Sequence, residues 1–216
     1  MKRSFGIFIA ICAAVLVCSP ARAGTIFSIQ PSAVAATPGS VGSAFDVVLT
    51  NSGPDSITVA GFTFEVSVTD TDITLTGADF SPAAFPYIFA GHSFYESSSI
   101  PLNYTSGQTL DAADVYDIFG SGVTVASGES LALGEVFFDV SSGAAIGAFL
   151  VTFTGTPAVG DANIWSDPLA NLISVDSFAD GTIETVPEPG SLFLMLVGLS
   201  ALAACACWRL GNAVRA

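Results

Sequence analysis

Residues 24–186 of this 216-residue chain contain no lysine, no arginine and no cysteine. All the lysines, arginines and cysteines of the chain lie outside that segment, at Lys2, Arg3, Arg22, Arg209, Arg215, Cys12, Cys18, Cys205 and Cys207. Disulfides therefore cannot stabilise the segment, and its fold must depend on an apolar core. Because no Lys or Arg is available to neutralise phosphates, the composition excludes nucleic acid as a partner.

Acidic residues dominate the charge of the same segment, which holds 18 of the 19 Asp and Glu residues of the chain. None of these carboxylates can pair with Lys or Arg inside the domain. They repel one another unless dissolved cations screen them. The composition predicts a highly anionic surface that keeps the domain soluble.

Catalytic side chains are scarce. His92 is the single histidine, no Gly-x-Ser-x-Gly elbow occurs, and residues 24–186 offer neither a cysteine nucleophile nor a Schiff-base lysine. Paired carboxylates, as in glycosidases, are the one enzymatic option left, but sequence spacing does not show two of them facing each other. We therefore predict no catalytic residues and a protein that is not an enzyme.

The first 23 residues have the three parts of a secretory signal peptide. Lys2 and Arg3 precede an apolar run over residues 5–17, and Ala21-Arg22-Ala23 supplies a small-x-small cleavage site. Signal peptidase is thus a predicted partner, and cleavage after Ala23 leaves Gly24 as the first residue of the exported domain.

The last 30 residues combine a rigid motif, an apolar run and a basic end. Pro187 and Pro189 end any preceding structure and hold Glu188 in an extended segment after Val186. The apolar run over residues 192–208 has a length of roughly 25 Å as a helix, at the short end for crossing a bilayer. The basic residues beyond it should stay in the cytoplasm, at Arg209 and Arg215. Everything before residue 187 would then face away from the cytoplasm.

This tail resembles the PEP-CTERM sorting signal of Gram-negative bacteria, through Val186-Pro187-Glu188-Pro189, the apolar run and the terminal arginines. The resemblance implies recognition by an exosortase in the inner membrane. It also implies cleavage near the Pro-Glu-Pro motif and delivery to the cell surface or an exopolysaccharide matrix. The alternative is an ordinary C-terminal membrane anchor.

Residues 24–186 read as a series of short strands separated by Gly, Ser and Pro turns. Residues 62–69 alternate strictly between apolar and polar side chains, and residues 45–49, 131–140 and 149–154 are rich in Val, Phe and Leu. Gly134 marks a candidate bulge within its strand, and one helical turn is predicted over residues 110–116. The pattern predicts an all-β fold, a single antiparallel jelly-roll-like sandwich of about nine strands. It is flanked by the signal peptide helix and a C-terminal transmembrane helix, so that the domains are 1–23, 24–186 and 187–216.

The sandwich is similar to cohesins and bacterial carbohydrate-binding modules. The residues that carry this likeness are Pro38-Gly39-Ser40, the strand 44–50, residues 59–66 and residues 134–140. The resemblance implies a jelly-roll sandwich that binds a glycan or a protein partner.

Two acidic clusters are candidate calcium sites, since calcium takes carboxylate and carbonyl oxygens as ligands. Asp70 and Asp72 lie two residues apart in a turn. The predicted helical turn would bring three more carboxylates to one face, those of Asp111, Asp114 and Asp117. Solvated acidic faces are the alternative for both clusters, so whether the protein binds a metal is unknown from the sequence.

Aromatic residues crowd the region from Phe80 to Tyr104. Aromatic platforms with polar rims bind sugar rings, and Tyr and Trp carry a polar atom suited to a surface. Tyr87, Tyr95 and Trp165 are the candidate glycan contacts, with core packing as the alternative. Together these features predict a surface-sorted, non-catalytic matrix protein, held transiently in the inner membrane. The alternative is a glycan- or protein-binding cohesin-like module, calcium-dependent if an acidic cluster binds the ion, with exopolysaccharide as a candidate partner.

The sorting motif makes a direct prediction. Replacing Glu188 with Ala should leave full-length precursor in the inner membrane, because the extended acidic segment that the processing enzyme recognises is lost. Cell fractionation followed by immunoblotting measures the precursor. Unchanged release from the membrane would contradict the assignment.

Overall fold

A computed structural model gives the fold of residues 24–98, 107–117, 121–154, 163–165, 172–188, 190 and 193–200, with side chains described everywhere except at 163–165. These residues form fourteen β-strands arranged in two main sheets and one additional strand pair. The prediction of an all-β sandwich is confirmed.

The first sheet has five strands in the order β13-β1-β3-β9-β6: Val175–Ala179 (β13), Thr25–Gln30 (β1), Ser43–Asn51 (β3), Ser130–Val140 (β9) and Ile73–Asp79 (β6). The second has the order β12-β11-β5-β10-β14-β2: Leu172–Ile173 (β12), Asn163–Trp165 (β11), Gly61–Val68 (β5), Gly147–Phe153 (β10), Gly181–Thr185 (β14) and Ala33–Ala36 (β2). Thr109–Val115 (β7) pairs with β5 as well. Ile57–Val59 (β4) pairs with Val123–Val125 (β8), and Phe94–Ser97 forms a short helix (α1).

The core lies between the two main sheets. Alternation along β5 turns Phe62, Phe64 and Val66 inward, each no more than 1 % exposed. Phe27 of the first sheet contacts Phe153 of the second, with ring centroids 6.1 Å apart. Each fully buried large apolar side chain contributes about 1.5–3 kcal/mol to stability. This burial replaces the disulfides that the composition excludes.

The first and last segments of the domain each run from the first sheet into the second, and they lie side by side. β1 and β13 pair in parallel in the first sheet, and their continuations β2 and β14 pair in parallel in the second. All other strand pairs are antiparallel, so these two pairings depart from the predicted antiparallel sandwich. Hydrophobic alternation reports which face of a strand is buried and carries no information about its neighbour's direction.

This pair of crossing segments gives the sandwich two distinct ends. Gly24 begins the crossing and lies beside Asn51 and Ser52, at an end that we call the loop pole. Thr185 ends the crossing and pairs with Ala36, at an end that we call the tail pole because the sorting motif follows it. At about 3.3 Å per residue, the crossing separates the two poles by about 30 Å.

The bulge predicted at Gly134 is confirmed, because the register between β3 and β9 shifts where Val47 faces Gly134 and Val48 faces Ala132. The helical turn predicted over residues 110–116 is wrong. These residues form β7, which pairs along the whole length of β5. Pairing with β5 satisfies the backbone hydrogen bonds of Leu110 to Asp114, although their side chains do not alternate strictly between apolar and polar.

Among the described residues, no helix is long and apolar enough to span a membrane. Residues 193–200, within the predicted transmembrane run, are helical. The described residues do not include residues 1–23, the rest of the predicted run, Arg209 or Arg215.

Gly181 allows the crossing segments to pack closely, because it has no side chain. A Cβ at this position would lie 2.6 Å from Cγ2 of Ile29, a buried side chain of β1. Gly181→Ala should therefore destabilise the domain by about 1–3 kcal/mol through overpacking. Urea unfolding measures the effect. Gly147→Ala is the matched control, because a Cβ there meets no atom within 4 Å; equal stability of the two variants would contradict the tight crossing.

Candidate functional site

The segment between β6 and β7 folds onto the first sheet at the loop-pole side. The N–H of Ala132 donates to the carbonyl of Pro86 (2.9 Å), and the N–H of Ile88 donates to the carbonyl of Ala132 (2.8 Å). These bonds run along the edge of β9 beyond the point where β6 ends. They place Tyr87 and Phe89 inside the core, with 6 % and 0 % exposure.

A fully buried carboxylate, Asp114, lies beneath this segment. Asp114 is on β7 opposite Phe62, on the inward face of the second sheet. The hydroxyl of Tyr87 donates to its Oδ2 at 2.5 Å, and the backbone N–H groups of Val115 and Tyr95 donate to its Oδ1 at 2.7 and 3.3 Å. Ser93 forms a further hydrogen bond to the same carboxylate. Every donor is neutral, so hydrogen bonds alone hold this charge.

Burial dominates the ionisation of the pair. It raises the pKa of Asp114 above its ordinary value, although the hydrogen bonds from Ser93, Tyr87 and the backbone oppose the rise. Burial, followed by the neighbouring Asp114 charge, also raises the pKa of Tyr87 well above its usual range. Tyr87 therefore stays a hydrogen-bond donor, and the pair ties the segment over residues 80–98 to β7.

The position of Asp114 overturns one candidate calcium site. In a strand, residues three apart point to opposite faces, so Asp111 lies on the outer face opposite Glu65 while Asp114 lies in the core. Asp117 is exposed beyond the end of the strand, where its N–H donates to the carbonyl of His92. The expected face of three carboxylates does not form, because it required the helix.

The second candidate, Asp70 and Asp72, forms a tight turn before β6. The carboxylate of Asp70 accepts the N–H of Asp72 at 2.8 Å, and the carbonyl of Asp72 accepts the N–H of Ser141. Within the described part of the chain, no group of three or more His, Cys, Asp or Glu side chains is arranged to hold a metal ion. Calcium binding at Asp70 and Asp72 stays a prediction.

The three candidate glycan contacts lie in different surroundings. Tyr87 is buried, so the expectation that it lies at a sugar-binding surface is wrong. Tyr95 is half-buried in α1, with its ring centroid 5.8 Å from that of Phe94. Trp165 pairs through its backbone in β11, and its side chain lies outside the described structure.

His92 and Ser93 have structural contacts. The His92 ring is exposed and stacks on Tyr116, with centroids 5.0 Å apart. The buried Ser93 caps α1 by accepting the N–H of Glu96 at 2.9 Å. These contacts fit the helix-capping and ring-stacking roles and give no support to a Ser-His catalytic pair.

A row of three carboxylates crosses the outer face of the first sheet. Glu135 on β9 lies between Asp46 on β3 and Asp79 on β6, directly opposite each in the strand pairing. Asp46 is 2 % exposed and accepts the N–H groups of Ala83 and Ala84 at 3.1 and 2.7 Å. Partial burial, together with the charges of Asp79 and Asp46, raises the pKa of Glu135. Sequence analysis missed this row, because its members are far apart along the chain.

An open cleft of about 270 Å³ lies at the loop pole. Its wall includes Gly24, Asn51, Asp55 and Asp176. The buried Asn51 side chain organises this pole by donating to the carbonyls of Asp55, Val125 and Ala126 at 2.8–3.2 Å. These bonds hold the loop after β3 against the segment at the end of β8, at the loop pole.

The sorting motif begins at the opposite pole, immediately after β14. The N–H of Val186 donates to the carbonyl of Ala36 at 2.8 Å, which ends the strand pairing. Pro187 and Glu188 are exposed and belong to no strand or helix. Pro189 lies outside the described residues. The fold therefore presents the described part of the motif to solvent.

Residues 185–210 match the family model of the PEP-CTERM protein-sorting motif. The chain carries a PEP-CTERM sorting signal. This signal indicates a secreted surface protein that an exosortase processes, which confirms the resemblance seen in the sequence. No curated protein matches the chain in sequence.

Solved structures identify the fold in front of the PEP-CTERM signal. The sixth cohesin of scaffoldin B from Acetivibrio cellulolyticus, in complex with a mutant Cel5 dockerin, has a TM-score of 0.51 and 17 % identity, over 76 % of this chain and 99 % of that one. CaCohA2 from Clostridium acetobutylicum gives 0.53 and 14 %, over 76 % and 92 %. The seventh ScaB type I cohesin from Pseudobacteroides cellulosolvens gives 0.51 and 13 %, over 76 % and 94 %. The domain is thus a cohesin-like β-sandwich.

The carboxylate row predicts an unusual pH dependence. Because the folded state raises the pKa of Glu135, this group costs stability once the pH exceeds its unfolded pKa of about 4.3, and costs nothing well below it. Glu135→Gln should therefore stabilise the domain at pH 7 by about half a kcal/mol, or about 1–2 °C in melting temperature, with no gain near pH 3.5.

Calorimetry across this pH range measures the gain, which added salt should reduce because it screens the neighbouring carboxylates. Glu184→Gln, at an exposed position of β14, is the control and should change little. A loss of stability at pH 7 in Glu135→Gln would show that the row does not repel.

Proposed function

We propose that the protein is a non-catalytic component of the extracellular or exopolysaccharide matrix, released from the inner membrane by exosortase cleavage near Pro187. The observation that carries this proposal is the exposed segment from Val186 to Glu188. It directly follows β14 and lies within the match to the PEP-CTERM motif. A processing enzyme can reach it without unfolding the sandwich, since only one backbone hydrogen bond, from Val186 to Ala36, holds the first residue of the motif.

The sorting motif and the cleft lie at opposite ends of the domain. The tail leaves the domain after Thr185, at the tail pole, and the loop pole is the opposite end of the sandwich, about 30 Å away. Asn51, the cleft and the neighbouring loops are on this far side. After release, these surfaces are open to solvent and to matrix components.

Surface charge supports a role among hydrated polymers. Residues 24–186 carry 18 carboxylates and no Lys or Arg, so the released domain repels other copies of itself and other polyanions at low ionic strength. Divalent cations can bridge such a surface to acidic polysaccharide. This chemistry suits a matrix component that cations retain outside the cell.

A binding module is the second candidate, and the cohesin-like fold favours it. One similar cohesin structure is a complex with a dockerin, which makes a protein partner a reasonable alternative to a glycan for this domain. Tyr95 and Trp165 remain candidate glycan contacts, and Asp70 and Asp72 a candidate calcium site. Purified host polysaccharide, titrated into the released domain with and without calcium, tests this candidate; saturable binding would favour the module over a passive matrix component.

Intact mass and location of the natural protein test the main proposal. We expect a form that begins at Gly24, ends near Pro187 and occurs outside the inner membrane. A form that still ends at Ala216 would contradict release. Glu184→Ala is the control for Glu188→Ala, because Glu184 is also exposed but belongs to β14 instead of the motif. Equal retention of both variants would indicate that charge loss near the tail, and not the motif, blocks release.

A further inference from the structure

Gly24 directly precedes β1, and hydrogen bonds hold this start of the strand on two sides at the loop pole. Its carbonyl accepts the N–H of Ser52 at 3.0 Å and the Ser52 hydroxyl. The N–H of the next residue, Thr25, donates to Oδ2 of Asp176 at 2.9 Å, and the Thr25 hydroxyl donates to the carbonyl of Ser174. The start of β1 is thus bound to both strands beside it, β3 and β13.

The Asp176 carboxylate occupies the space that a side chain at position 24 would need. A Cβ on Gly24 would lie 1.4 Å from Oδ2 and 2.2 Å from Cγ of Asp176. Ordinary bond lengths then put the backbone nitrogen of Gly24 within about 4 Å of this carboxylate. Glycine at position 24 is therefore the residue that lets Asp176 approach the start of the chain.

Signal peptide removal changes the chemistry of that nitrogen. Cleavage after Ala23 converts it from a neutral amide into an ammonium, with three donors and a positive charge. Between residues 24 and 186 no Lys or Arg competes for a carboxylate. Asp55 lines the same cleft. The side chain of Glu129, on the adjacent loop, accepts the N–H of Ala126. Asp55 is also acidic and adds to the attraction within the cleft.

We propose that removal of residues 1–23 creates an ion pair between the Gly24 ammonium and the Asp176 carboxylate, which fastens β1 to β13 at the loop pole. The inference rests on the proposed export of the chain. Processing by signal peptidase then completes the parallel strand pair that closes the first sheet. The exported domain gains an internal cation that its composition otherwise lacks.

Chemical modification of primary amines can report on the Gly24 ammonium alone. Lys2 is the single lysine of the chain, so a form that begins at Gly24 has one primary amine. The full-length chain is expressed with its own signal peptide, purified from the membrane in mild detergent and treated with an acetylating reagent at pH 8. Intact mass spectrometry gives both the first residue and the rate of acetylation. We expect the wild-type amine to react about threefold more slowly than that of Asp176→Asn, since a paired ammonium loses its proton less often.

Thermal unfolding between pH 6 and pH 10 gives an independent readout. The pair stabilises the domain fully below the amine's unfolded pKa of about 7.7–8.0, and this contribution disappears as the amine loses its proton at higher pH. The melting temperature of wild type should thus exceed that of Asp176→Asn at pH 6 by more than at pH 10. Gly24→Ala keeps the ammonium but displaces the carboxylate, so it should behave like Asp176→Asn.

Asp139→Asn is the matched control, because Asp139 also accepts one backbone N–H, from Gly42 at 2.8 Å, on the tail-pole side. Its effect on melting temperature should not change between pH 6 and pH 10. A chain that keeps residues 1–23 would overturn both the export proposal and the ion pair. A chain that begins at Gly24, with equal acetylation rates in wild type and Asp176→Asn, would overturn the ion pair alone.

Discussion

Backbone N–H groups do for this domain what lysine and arginine side chains do in most proteins. With no Lys or Arg between residues 24 and 186, each carboxylate that approaches the core needs neutral donors. Asp46 takes the N–H groups of two successive alanines, and Asp114 takes two N–H groups and a tyrosine hydroxyl. A neutral donor stabilises a carboxylate without removing its charge, so repulsion persists wherever two carboxylates are neighbours. The repulsion is clearest at Glu135, which lies between Asp46 and Asp79.

The same constraint organises the loops. Carboxylates beside the ends of strands accept N–H groups from the neighbouring turns, at Asp70, Asp79 and Asp139. Each bond fixes a turn that the composition could not tether with a salt bridge. The core then aligns the fixed turns at two poles, and the crossing of the terminal segments decides that the sorting motif and the cleft lie at opposite ends.

Local alternation was enough to predict the long strands, because one face of β5 or β9 is apolar and the other polar. It failed for β7, where two alanines beside two aspartates resemble a capped helical turn. Pairing with β5 decides that conformation, and strand pairing is a tertiary property. Tyr87 was misplaced for a similar reason: its hydroxyl favours a surface, but the buried Asp114 supplies a partner inside the core.

The sequence alone determined the all-β class, the sorting signal, and the lack of disulfides and of Lys or Arg ion pairs within residues 24–186. These properties depend on composition, on a period of two and on a contiguous motif. Only the tertiary structure decided which carboxylates meet, since Asp46, Asp79 and Glu135 come from three strands and become neighbours through sheet order. It also decided that Gly24 lies against Asp176, because two chain segments about 150 residues apart pair in parallel there, and chain proximity gives no sign of such a pairing.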